Sequence, residues 1–411
     1  MSEESSRTCL LLCLRENAPA PALGVLRTLS RQQWDDVAAL SRRHGLAPIL
    51  YQRLKMLSAA VRIPAETMES LRLAYVYSSA RNIRLYRDLG LVLSALRGAD
   101  VPAIALKGAY LADAVYRDAA LRPMSDIDLL VRVQDIAKAS EALVSLGYRA
   151  AGKPSPHAIH LDPFTRPGHV DIEIHYHIVD PAQMKEVDVD GLWRRAQDVR
   201  VGDCNMRTLS REDLFLQLCL HMAVYHGFNA TLCQLYDIRQ SAEFFAESLD
   251  WRALSGRARA WGAGRAVQLV FLLTEKLFGL NAPKDFMQGL STERPDLETV
   301  ALAQELLFSP RAPIPESLAR ILGGRTWRQR ARNLLAWTFP AGEEAARRGS
   351  AHGNILKIYL YYPLRITQLV KRYFAAIWRI LVRDEKTVSA LKTESRRNKL
   401  TAWILSSNAR Q

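Results

Sequence analysis

RPMSDIDLLV, residues 122–131, and HVDIEIHYHIV, residues 169–179, decide how this chain reads. In the first, Asp126 and Asp128 are two apart, with Ile127, Leu129 and Val131 between and after them. Alternate residues of a strand point to opposite faces, so this spacing predicts one buried apolar face and one face carrying both carboxylates, roughly 6–7 Å apart. The second stretch repeats the alternation over a longer span. Asp171, Glu173, His175 and His177 share one face, and Val170, Ile172, Ile174, Tyr176 and Ile178 share the other. A polar strand face made only of acids and imidazoles is unusual for mere solvation.

The segments around these strands set the fold class. VPAIALKG (101–108) is a short β-like run ending in glycine, and AYLADAVYRD (109–118) has helical spacing. VQDIAKASEALVSLGY (133–148) predicts a helix closed by Gly147. Strands and helices in this order predict an α+β unit over residues 97–205. Residues 1–96 read as a helical region packing on that core, with breaks at Gly45 and Pro48 and no collection of reactive groups. SREDLFLQLCLHMAVYHG (210–227) and TLCQLYDIRQSAEFFAESL (231–249) predict a helical domain over 206–280, opened by Ser210 as N-cap with Asp213 at N3. Residues 281–350 are interrupted by Pro283, Pro295, Pro310, Pro313, Pro315 and Pro340 and read as a connecting region. Residues 351–411 form a basic tail.

Composition narrows the function classes. At 411 residues, 49% hydrophobic and 24% charged, the chain can bury a large core and is not intrinsically disordered. No charge-free apolar run approaches the roughly 18 residues of a spanning helix. The opening MSEESSRTCLLLCLRENA carries acids where a signal peptide carries bases. A cytoplasmic location is the expectation. Five cysteines without a C-x-x-C pair argue against a disulfide framework or structural zinc.

The formal charge of +14 is uneven. Residues 321–411 hold 18 Lys or Arg against 5 Asp or Glu, so +13 of it lies in the last 91 residues. LRITQLVKRYFAAIWRILVRDEK (364–386) predicts a basic amphipathic helix. Three uses fit such a helix: docking on the body, peripheral attachment to an anionic membrane surface, or contact with nucleic-acid phosphates. The continuous apolar face makes nucleic acid the poorest fit of the three.

The Asp126/Asp128 pair has two readings. It is the exposed polar face of an edge strand, or it holds a hard divalent ion that removes the repulsion between the carboxylates. If the second strand lies beside the first, one of its acids completes a three-carboxylate cluster, which suits metal binding or general-base work. A zinc site on Asp171, His175 and His177 competes with this, but no further ligand stands at suitable spacing. Lys107 and Gly108 end the first strand, where a glycine admits a phosphate and a helix N-terminus faces it. Arg122 reads as a phosphate contact or a surface arginine.

LKGAYL (106–111), then an arginine ahead of SDIDLLV, then a helix ending in LGY, then VDIEIHYHI together resemble the bacterial nucleotidyltransferase-like proteins of the DNA polymerase β superfamily. The resemblance covers about residues 30–240. It implies a minimal nucleotidyltransferase mixed sheet with packed helices. It implies that Asp126, Asp128 and Glu173 form the catalytic metal site, with Mg²⁺ or in its place Mn²⁺. Lys107, Gly108, Arg122 and Ser125 would bind the nucleotide, and His175, His221, His226 and Asp237 would line the cleft. The implied activity moves a nucleoside monophosphate from an NTP to an acceptor, whether small molecule, peptide or protein. The chain departs from the pattern at two places. Gly108 is followed by Ala109 where the superfamily has serine, and Tyr225 stands where a lysine is frequent. Both departures leave open a non-catalytic nucleotide- or partner-binding module of the same fold.

Overall fold

A computed structural model describes residues 3–15, 20–150, 159–184, 186–291, 293–309 and 385–406, with residues 328, 332 and 335. It divides into two compact units. The first comprises residues 1–226, 230–300 and 404–411, and the second residues 227–229 and 301–403.

The first unit opens with helices α1 (Glu3–Leu14), α2 (Ala20–Arg27), α3 (Arg31–Arg43), α4 (Ala47–Leu57) and the long α5 (Ala65–Gly98). Ser30 and Gln33 form a reciprocal capping box at the start of α3, which satisfies two donors that a helix end otherwise leaves unpaired. Pro48 falls in the first turn of α4, the helical position proline tolerates, so the expected break is a new helix start.

Seven strands follow: β1 (Ile104–Ala105), β2 (Asp126–Leu130), β3 (Arg149–Ala150), β4 (Phe164–Thr165), β5 (Asp171–His175), β6 (Gln197–Val201) and β7 (Cys204–Thr208). They form one mixed sheet in the order β3-β4-β5-β2-β1-β7-β6. The chain is therefore α+β, as its segment order predicts. β2 and β5 are parallel neighbours with Asp126 opposite Asp171 and Asp128 opposite Glu173. Ile127, Leu129, Ile172 and Ile174 belong to a buried cluster with Leu85, Leu89, Val92 and Leu96 of α5. Ala139 and Leu143, from the helix Ile136–Ser145 (α7), join the same cluster. That helix ends as expected: Gly147 is left-handed, and the amides of Gly147 and Tyr148 return to the carbonyls of Val144 and Leu143. Burying one sheet face under α5 and α7 fixes the strand register, because a one-residue slip would invert every side chain.

The second carboxylate strand is shorter than its alternation predicts. β5 stops at His175, because the amides of Tyr176 and His177 both turn to the carbonyl of Ile159. His177 therefore leaves the shared face, and its Nδ1 accepts from the Val179 amide instead.

Between β1 and β2 lie a three-residue helix α6 (Gly108–Tyr110) and a π-helical turn, Leu111–Val115. After α8 (Val189–Arg195) and the β6–β7 hairpin, Ser210 caps α9 (Arg211–Leu220) by accepting from the Asp213 amide. Asp213 has a second role that its N3 position does not reveal: buried, it binds Arg195 at 2.8 Å and Arg257 at 2.7 Å. A second π-helical turn, His221–Tyr225, extends α9. α10 (Leu232–Phe244), α11 (Trp251–Ala260), α12 (Gly264–Phe278) and α13 (Lys284–Gly289) complete the helical part, and α14 (Leu297–Phe308) follows. The proline-interrupted region thus begins with two ordinary helices. In the second unit, Arg396 of α15 (Glu385–Leu405) pairs through both guanidinium Nη atoms with Glu305. The predicted amphipathic stretch 364–386 falls almost wholly outside the described residues.

Gly264 generates a test of this packing. A Cβ there would lie 2.0 Å from the Leu290 carbonyl oxygen, and backbone cannot yield as a side chain can. Gly264→Ala is expected to cost roughly 2–4 kcal/mol in chemical denaturation. Gly256→Ala, in open space on α11, should be neutral or slightly stabilising.

Candidate active site

The polar face of β2 and β5 forms one wall of a cavity of about 650 Å³, which Lys107, Gly108, Arg122, Asp126, Asp128, Glu173, His221, Tyr225 and His226 help to line. The register accounts for this: parallel pairing puts Asp128 beside Glu173 on the face opposite the apolar core. One oxygen of Asp128, one of Glu173 and a ring nitrogen of His175 lie within 4.8 Å of one another. Asp126 is not in that group, nor is Asp171 at the exposed end of β5. Neither is His177, so the zinc set of Asp171, His175 and His177 does not assemble among the described residues.

Electrostatics separate the two aspartates. Burial, with Asp128 and Glu173 nearby, pushes Asp126 up to about 6. Burial would raise Asp128 as well, but the Lys107 ammonium and the His175 imidazole outweigh it and hold Asp128 well below the ordinary carboxylate range. Lys107 Nζ is 3.2 Å from Asp128 Oδ2, and His175 Nε2 is 2.8 Å from Oδ1. A nitrogen that close to a carboxylate oxygen carries the proton, so His175 donates through Nε2 and orients Asp128. Burial lowers the His175 pKa, but its bonds to Asp128 and Glu173 outweigh this and raise it.

Lys107 reaches Asp128 from a costly backbone. Its φ of 41° and ψ of −108° are the territory of glycine, at a cost on the order of 1–3 kcal/mol. Nζ also lies 2.9 Å from His221 Nε2. An ammonium only donates, so His221 accepts as neutral imidazole. Burial, with Lys107 and His226 adding to it, keeps the His221 pKa well below its usual value.

Gly108 is required by what lies against it: a Cβ would meet Arg122 Nη1 at 2.6 Å and Met124 Sδ at 3.1 Å. Arg122 gives Nε and Nη2 to Asp237, at 3.0 and 2.9 Å, and Nη1 is its group nearest Gly108. Asp237 has no exposed surface and also accepts from the Tyr116 hydroxyl at 2.8 Å. It anchors Arg122 and, although buried, is among the residues that line the cavity. Ser125 bonds through its side chain to Asp126, and its carbonyl accepts from Arg81 at 2.8 Å.

The π-helical turn stacks His221 on Tyr225, with ring centroids 5.3 Å apart and planes at 16°. His226 meets His221 edge-on at 4.4 Å. Three participants escape sequence reasoning. Arg81 and Tyr77 line the cavity from α5, although residues 1–96 read as free of site chemistry. His160 bridges to His175 across the strands. Its Nδ1 donates to the Leu161 carbonyl at 2.6 Å, and its Nε2 shares a hydrogen bond of 3.0 Å with the Tyr225 hydroxyl. No spacing rule links residue 160 to residue 225, so no local signal could have found that pair.

Two substitutions separate the aspartate roles. Asp126 has a folded pKa raised above its unfolded value, so ionising it disfavours the fold. That cost is absent below about pH 4 and complete above about pH 6. Asp126→Asn should therefore stabilise the chain at pH 8 by on the order of 1–3 kcal/mol, with the gain vanishing near pH 4. Asp237→Asn strands the buried Arg122 guanidinium and should cost roughly 3–5 kcal/mol. Thermal melts of both variants between pH 4 and 8 check the pair, and a loss of stability in Asp126→Asn at pH 8 would contradict this account.

No curated protein sequence matches the chain significantly. The solution structure of the antibiotic-resistance factor ANT(2'')-Ia, titled for its substrate-regulated conformation dynamics, aligns at 12% identity with a TM-score of 0.33, over 44% of this chain and 91% of that one. Residues 30–279 match the profile of a family described as uncharacterised nucleotidyltransferase, taking in α3 to α5, the whole sheet and the helices through α12. With more than half of its length inside that match, the chain belongs to the uncharacterised nucleotidyltransferase family.

Proposed function

We propose that this protein transfers a nucleoside monophosphate from an NTP to a nucleophilic acceptor, using a divalent metal ion held by Asp126, Asp128 and Glu173. The convergence of these three carboxylates on one cavity carries the reading. The residues present fit a cation. Asp126 is raised to about 6 by burial and its acidic neighbours, a penalty that a bound positive ion would remove. Carboxylate oxygens suit Mg²⁺ and Mn²⁺ alike. When bound, such an ion supplies Lewis-acid charge to the phosphoryl oxygens.

The chain's own residues account for the rest. In the transfer, the acceptor oxygen bonds to the α-phosphorus, the bond from that phosphorus to the bridging oxygen breaks, and pyrophosphate leaves. Glu173, partly exposed on the cavity wall, is placed to take the acceptor proton or to help hold the ion. Arg122, fixed by Asp237, offers the triphosphate a guanidinium that needs no reorganisation, near the glycine that lets the chain approach closely. This placement compensates for Ala109, which lacks the serine hydroxyl. His221 and Tyr225 present flat faces that suit the base or the acceptor.

The absent hydroxyl also supports a second reading, a nucleotide-binding module without turnover. Incubating the chain with each α-³²P-labelled NTP and Mg²⁺ or Mn²⁺ in cell extract separates the two. Transfer predicts a labelled acceptor that Asp126→Asn, Asp128→Asn and Glu173→Gln each reduce at least about a hundredfold. Metal-dependent NTP binding without any labelled product would leave the binding module. Unchanged NTP affinity in the Asp126→Asn/Asp128→Asn double variant would remove the metal role altogether.

A further inference from the structure

Both oxygens of Asp128 are occupied. His175 holds Oδ1 at 2.8 Å and Lys107 holds Oδ2 at 3.2 Å. A divalent ion cannot use the Oδ2 lone pair while an ammonium sits against it, since the two cations repel strongly at such separations in a partly buried site. The surrounding groups differ in freedom to move. Arg122 is fixed through two of its nitrogens by Asp237, and His175 is nearly inaccessible within the sheet. Lys107 is a compact charge on a flexible stem, and its backbone is strained. Its second partner, His221, is a neutral acceptor and a weak competitor for the ammonium. An NTP bound over Gly108 would offer that ammonium a polyanion within the same cavity.

We propose that Lys107 is a tethered cation standing in the place of the metal at Asp128, so that the ion alone binds weakly and ion and nucleotide bind as a coupled pair. This deepens the nucleotidyltransferase reading and rests on it. With the nucleotide present, Lys107 moves to the phosphates and Oδ2 of Asp128 becomes available to the ion, while His175 keeps Oδ1. Because coupling is reciprocal, the ion raises nucleotide affinity by the same factor.

The test is Mn²⁺ titration of the full chain, followed by the loss of the free-ion paramagnetic resonance signal, with and without non-hydrolysable α,β-methylene analogues of the four NTPs. Lys107→Met and Lys107→Gln remove the ammonium, and Lys107→Arg retains a cation. Removing the tethered charge should tighten Mn²⁺ binding in the absence of nucleotide by about tenfold or more, and Lys107→Arg should bind as wild type does. The analogue should tighten Mn²⁺ binding to wild type by a similar factor and have much less effect in the neutral variants. Mn²⁺ affinity unchanged or weakened in both folded neutral variants, with Asp128→Asn still abolishing binding, overturns this inference and leaves the nucleotidyltransferase reading intact. No Mn²⁺ binding by wild type even with analogue present overturns both. Two neutral variants of different polarity guard against a folding defect in either one, which circular dichroism would register.

Discussion

The parallel pairing of two five-residue strands is the constraint on which the site depends. Setting Asp128 beside Glu173 places like charges side by side on a half-buried sheet face. That arrangement is unfavourable unless positive charge is supplied. The protein supplies it from two directions. Lys107 comes from the end of β1 and His175 from the last residue of β5, and each engages a different oxygen of Asp128. Asp126 receives less of this compensation and keeps a raised pKa. The site is thus electrostatically unequal, with one aspartate compensated by the protein and another largely uncompensated.

The opposite sheet face makes this tolerable. Ile127, Leu129, Ile172 and Ile174 lock into the α5–α7 core, so the register cannot slip to relieve the repulsion. The strained backbone of Lys107 belongs to the same economy of position. A relaxed backbone at the end of β1 would aim the side chain elsewhere, and the surrounding packing holds it where its charge is needed. Arg122 follows a similar plan one layer further back. Its guanidinium is committed to a buried aspartate that a tyrosine hydroxyl also holds, so it presents charge to the cavity with little freedom to move.

Much of this was legible in the residues. The alternation in SDIDLLV and VDIEIH predicted which side chains share a face, and the structure pairs those faces in register. The capping signals at Ser210 and Gly147 placed helix ends where they occur. Other readings failed for physical reasons. The period-two pattern continued past His175, but the amides of Tyr176 and His177 found a better acceptor in Ile159 and the strand ended. Asp237, read as a cleft residue, does line the cavity, but its burial beneath Arg122 could not be read from charge type alone.

Local sequence determined the elements, their faces and the identity of the acids, since these follow from backbone periodicity and side-chain chemistry over a few residues. Tertiary structure alone decided which charges meet. Lys107 and His221 are 114 residues apart, and Arg122 and Asp237 are 115 apart. Tyr225 and His160 are 65 apart. Such pairs form only where the folded chain brings groups together from distant segments and excludes the water that would otherwise screen them. The sequence names the carboxylates, and the packing around them sets how much charge each one carries.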